Sequence, residues 1–93
     1  MKKTEKLTII NGDFTSDEAK EVLMDLFRSK INFHSIKNWS SQERFGKDDL
    51  IAQERIPALT NEMQKLEEIL IEAKNKNKRI VVNSDIYISL EEN

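Results

Sequence analysis

Between residues 48 and 78 apolar positions recur at alternating steps of four and three: Ala52, Ile56, Leu59, Met63, Leu66, Leu70 and Ala73. That spacing draws one stripe along an α-helix, and Ile69 beside it widens the stripe to the breadth of a core-facing surface. Pro57 falls inside the stripe without changing its phase. A mid-helix proline removes one hydrogen bond and costs ~3 kcal/mol or more, so the pattern predicts a long helix kinked near Pro57. Asp48 or Asp49 can cap its start, and the asparagines of the 75–78 run can take the left-handed conformation at its end. Some 28 helical residues span roughly 42 Å, whereas a compact domain of this size has a radius of gyration of about 12–13 Å. Such a helix either bends or projects toward a partner.

The remaining elements are read from the same alternation. Residues 5–10 predict a short strand, with Leu7 and Ile9 on one face and Thr8 and Ile10 on the other. Asn11-Gly12-Asp13 breaks it, and Thr15 with Glu18 three residues later forms the signature of a capping box. Phe14 is placed to staple onto Ala19. The helix that follows carries Ala19, Val22, Leu23, Leu26 and Phe27 on one side and ends near Ser29-Lys30. Ile31 and Phe33 alternate weakly through 31–36 and suggest a second strand, while 37–47 shows no periodicity and reads as a loop. From Arg79 to Leu90 the alternation is clear: Ile80, Val82, Ile86, Ile88 and Leu90 share one face, with Asn83-Ser84-Asp85 a place to bulge or break.

The resulting order, β-α-β-α-β, predicts an α/β (α+β, two-layer) fold. It is one small domain over residues 1–93, about three strands with two helices on one face. The last strand outruns the first, leaving an unpaired edge. A two-fold dimer that pairs or packs such edges would satisfy both that edge and the long helix. A homodimer is therefore expected.

Composition narrows the class. The 93 residues carry no cysteine, which fits a reducing compartment and excludes disulfide frameworks and thiolate chemistry. Two glycines and one proline are too few for a turn-rich all-β fold. No apolar run reaches signal-peptide or membrane-span length, so the expectation is a cytoplasmic protein with no membrane partner. The net charge of −2 gives no global attraction to nucleic acid. The charges are unevenly spread, with seven acids and two bases over 48–73 followed by Lys74, Lys76, Lys78 and Arg79.

Candidate chemistry is sparse. His34, the sole histidine, lacks any identifiable partner for acid–base work. No His or Cys spacing suits a metal, no glycine-rich phosphate loop or nucleophile motif occurs, and no cofactor is expected. Asp48, Asp49 and Glu54 lack the pattern of a calcium loop, and helix capping accounts for the aspartates. Two features remain. Asn38, Trp39, Gln42, Glu43, Arg44 and Phe45 concentrate residue types that anchor interfaces, although the reading slightly favoured for Trp39 and Phe45 is that they fold back to plug the end of a small core. Lys2, Lys3, Lys74, Lys76, Lys78 and Arg79 would gather into a basic rim if the strands run parallel, and would separate if they do not. These observations point to a non-enzymatic, homodimeric interaction or adaptor module with a protein partner at 37–47. The alternative is a nucleic-acid-associated regulator using the basic rim. A ligand-binding domain or enzyme around His34 comes third.

Overall fold

A computed structural model describes residues 3–92. Strand β1 (Thr4–Phe14) leads into helix α1 (Ser16–Phe45), a tight turn joins it to helix α2 (Leu50–Asn75), and strand β2 (Ile80–Ser89) returns alongside β1. The fold is α+β: a helical hairpin closed at its base by a two-stranded antiparallel ribbon. The expected third strand is absent among the described residues. Ile31, His34, Asn38 and Ser41 instead continue the three-and-four spacing of Ala19, Leu23 and Phe27, and all of these are at least half-buried along α1. Phe33 and Ile36, which suggested an alternating strand, lie on the outer side of that helix, 50% and 58% exposed. Helical continuity through 31–45 also absorbs most of the expected loop.

Local chemistry fixes the helix ends. Glu18 N–H donates to the Thr15 hydroxyl at 3.2 Å and Thr15 N–H donates to the Glu18 carboxylate at 2.9 Å, closing the capping box. At the far end Gly46 takes φ 67°, where a side chain is strained, and its N–H donates to the Gln42 carbonyl at 2.9 Å. The turn is then tied down from α1. Asn38 accepts from Asp49 N–H at 2.8 Å, and Gln42 donates to Asp48 at 2.6 Å. Asp49 in turn caps α2 by accepting from Ala52 N–H at 2.9 Å. At the other end of α2, Asn77 adopts φ 52°, while Lys78 N–H donates to the Ala73 carbonyl and Asn77 N–H to that of Lys74, the two bonds of a Schellman cap.

Pro57 lies inside α2 without interrupting it, and no kink is established there. The proline deprives the Gln53 carbonyl of its helical donor, but both residues are exposed and water can serve it. All seven positions of the α2 stripe face inward: Ala52, Leu59, Leu66, Leu70 and Ala73 are buried, and Ile56 and Met63 half-buried. Ile69 does not widen that core face, being 53% exposed. Ser16 donates to the Leu70 carbonyl at 2.9 Å and Asn38 meets Asp49, so the helices run antiparallel along their whole length.

The ribbon departs from expectation in two ways. Asn11-Gly12-Asp13 does not break β1, which pairs through Asn11↔Asn83, Gly12↔Val82 and Asp13↔Val81. The irregularity lies between Thr8 and Ile10 on β1, not at Asn83-Ser84-Asp85 on β2. A bulge shifts the alternation by one residue. Leu7 (opposite Ile86) and Ile10 (opposite Ser84) therefore come to the same face, rather than opposite ones. That face now reads Leu7, Ile10, Phe14, Ile80, Val82, Ile86 and Ile88.

The core sits where ribbon and helices meet. Ala19, Met24, Leu66 and Leu70 are buried together, with Phe14, Leu23, Phe27, Met63 and Ile80 packed around them. The molecule is flat, 50 × 37 × 15 Å, with a radius of gyration of 16.9 Å against about 12 Å for a compact domain of this length. Helix α1, at roughly 45 Å, accounts for the long dimension. The ribbon, at roughly 36 Å, matches the second, so it lies crosswise to the hairpin. Its accessible surface is 7716 Å², whereas a compact monomer of this mass exposes about 5,600 Å².

Candidate functional site

Asn38, Trp39, Gln42, Glu43, Arg44 and Phe45 occupy the last two turns of α1, at the tip of the hairpin and not in a loop. The structure divides them by role. Asn38 and Gln42 spend their side chains on Asp48 and Asp49 and hold the interhelical turn. Trp39 and Phe45 are 63% and 69% exposed, so neither plugs the core. Leu50 and Ile51, just across the turn, are also exposed. The sequence reading named neither of them as a tip residue. Leu50 and Ile51 fall outside the Ala52–Ile56 phase, and that was the available signal.

The basic residues are not brought together. With β1 and β2 antiparallel, Lys3 lies at the free end of the ribbon. Lys74, Lys76, Lys78 and Arg79 lie at its attached end, about ten strand residues or roughly 33 Å away. Lys2 lies outside the described residues. At the attached end the charges are partly committed: Lys76 pairs with Glu72 at 2.7 Å, and Arg79 bonds Asp13 through both its carboxylate and its carbonyl. The hydrogen bond and charge of Lys76 hold the Glu72 carboxyl below the usual carboxylate range. Shallow grooves here bring Ser16, Lys20 and Lys74 close to the start of α1. That helix end already has Thr15, Asp17 and Glu18 to satisfy its donors and dipole.

His34 is on α1, not on a strand, and is 5% exposed. Extending the antiparallel register sets it level with the fully buried Ala52 of α2. Neither ring nitrogen has a hydrogen-bond partner, and its one described ring contact is the edge of Phe33, with centroids 5.3 Å apart. Phe33 itself is flanked by the ammonium groups of Lys30 and Lys37, 5.1 and 5.5 Å from its centroid, a cation–π arrangement that shelters an exposed ring. Around His34 there is thus no oriented acid, base or open cleft. Among the described residues no group of three or more His, Asp or Glu could hold a metal, and no helix is long and apolar enough to cross a membrane.

What the surface does present is apolar. Among the described residues eight apolar side chains are buried, while seventeen large ones are at least 40% exposed. That balance is inverted relative to a self-sufficient domain, where contiguous apolar patches are small. Beyond the helix flanks they lie at the hairpin tip, on the half of the ribbon face that overhangs the helices, with Leu7, Ile86, Ile88 and Leu90, and on the opposite ribbon face, with Val81 and Tyr87. Comparison with known proteins brings no match, whether to a family model, a curated protein or a solved structure.

Proposed function

We propose that this protein is a non-enzymatic interaction module that works as a homodimer, with the helical hairpin projecting its Trp39 tip toward a protein partner. The observation that carries the reading is the surface. The chain exposes about 2,100 Å² more than a compact monomer of its mass would. A 15 Å thickness leaves room for little more than one layer of elements, so the apolar faces of ribbon and helices lack a second side. A second copy supplies one, and an obligate homodimer hides surface of this order. The buried, partnerless His34 and the separated lysines lend no comparable support to catalysis or to nucleic-acid binding.

Light scattering coupled to size exclusion tests the reading directly. A mass of twice 10.9 kDa at micromolar concentration is expected. A monomeric mass at tens of micromolar would overturn it.

A further inference from the structure

We infer that the second copy docks on the outer edge of β2, in antiparallel register about a two-fold axis at Ser84. The two ribbons then become one four-stranded sheet ordered β1-β2-β2-β1. The inference rests on the homodimeric reading and adds where the copies meet.

A two-stranded ribbon has two open edges, each with a row of unpaired backbone donors and acceptors, and alone it is marginally stable. The edges differ. That of β1 is interrupted by its bulge after Thr8 and carries Lys6, both devices that discourage strand addition. That of β2 runs ten residues, Ile80–Ser89, with no bulge of its own, no proline and no lysine. It is rich in isoleucine, valine and tyrosine, which favour strands.

The period of two then restricts the register, because a slip by one residue would set the apolar face of one copy beside the polar face of the other. An axis at Ser84 sets Val82 opposite the second copy's Ile86 and Ile80 opposite its Ile88, all on the apolar face. On the other face, Val81 and Tyr87, 72% and 66% exposed in the single chain, become an aromatic–β-branched pair. Asn83 stands opposite Asp85, whose carboxylate accepts from the Thr8 hydroxyl at 3.0 Å and retains acceptor capacity for an amide. Moving the axis to Asp85 sets that carboxylate against its own copy. Moving it to Asn83 sets Val81 against Asp85 and carries Ile88 past the end of the strand. Ser84 is the position at which every pair is compatible.

The same operation gives the overhang a lateral neighbour. The exposed half of each ribbon face comes to lie beside the half of its mate that packs on the helix ends, so one apolar layer continues across both copies.

The chain has no cysteine, so single introduced thiols report the axis. Ser84→Cys is expected to form a disulfide-linked dimer on mild oxidation, seen on a non-reducing gel. Thr8→Cys, one strand further out on each copy and about 14 Å from its mate, is expected to remain unlinked. On the wild-type protein, isotope-filtered NMR of mixed labelled and unlabelled chains reads the same register without mutation. Val82 and Ile86 methyls are about 13 Å apart within one strand, so a nuclear Overhauser effect between them arises only between copies. Failure of the Ser84 link together with absence of that effect, in a protein that is dimeric by light scattering, overturns the β2 edge and leaves the homodimer standing. Linking at Thr8 as readily as at Ser84 overturns the edge too. A monomer by light scattering removes both readings.

Discussion

The two halves of the ribbon carry the same alternation and meet opposite fates. At the attached half Ile10 is buried, and Phe14, Ile80 and Val82 are half-buried against the helix ends. At the free half Leu7, Ile86, Ile88 and Leu90 continue the same face and are 41–79% exposed. Nothing in side-chain chemistry separates the halves. Only the reach of the helical hairpin does, because it covers one end of a ribbon set crosswise to it. Periodicity therefore identifies an apolar face, and the arrangement of elements decides how much of it the chain can cover by itself.

Truncation at each end measures that difference. Leu66→Ala, in the covered cluster with Ala19, Met24 and Leu70, should cost about 2–5 kcal/mol in denaturant unfolding. That is a large part of the stability of a domain this small. Ile86→Asp, on the uncovered half, should leave the protomer's helical signal intact by circular dichroism. It should weaken the dimer at least about tenfold, since a carboxylate would stand directly against the second copy's Val82 in the joined sheet. If Ile86→Asp unfolds the protomer as severely as Leu66→Ala, the two halves are not energetically distinct.

His34 sharpens the contrast from the covered side. Its imidazole is enclosed by the helices, yet neither nitrogen is bonded, and a buried polar group left unsatisfied costs about 1–3 kcal/mol. His34→Leu should raise stability by a comparable amount, read as a shift in the denaturant midpoint at unchanged slope. A loss of stability instead would show that the ring holds an interaction within the helical seam.

These contrasts also show what could be read before the fold was known. The α2 stripe, the Thr15–Glu18 box and the Asn77 cap were legible because each depends on neighbours within one or two turns. The second half of α1 was not. Its inward positions after Phe27 are Ile31, His34, Asn38 and Ser41, a stripe that turns polar as it approaches the interhelical turn, while Phe33 and Ile36 offer a competing apolar side. The bulge on β1 was equally hidden, since Leu7-Thr8-Ile9-Ile10 contains no glycine or proline to mark it, and only pairing with β2 reveals which residue is extra. Of the candidate site, the tip's composition was visible. Its exposure was not, because exposure depends on the two helices ending together.

The junction between the halves offers a smaller effect. Thr15 starts α1 where the ribbon joins it, and Thr15→Ala should cost about 1 kcal/mol. The hydrogen bonds from Thr15 hold the Glu18 carboxyl below its ordinary value. A lowered folded value means that the box's charged contribution is present above the unfolded carboxylate pKa and is lost as pH falls through the folded one. Glu18→Gln should therefore lower stability slightly at neutral pH, where the charged contribution is present, and converge with the wild type in acid, so that the decline on the acid side is flatter. An unaltered acid limb would show that Glu18 carries no such linkage.

The smallest expected effect tests the other uncovered surface. Trp39 is exposed at the hairpin tip, and the β2 edge lies at the opposite end of the helices. Dimerisation through that edge leaves the indole in water. Its fluorescence, the only tryptophan signal in the chain, should keep a solvent-exposed emission and full accessibility to acrylamide from the monomer to the dimer concentration range. Trp39→Ala should change unfolding free energy by no more than about 0.5 kcal/mol at either concentration. A blue shift on association, or a larger loss confined to the dimer, would move the self-contact from the ribbon to the tip. An indole that stays wet in the dimer keeps the tip open for a different protein.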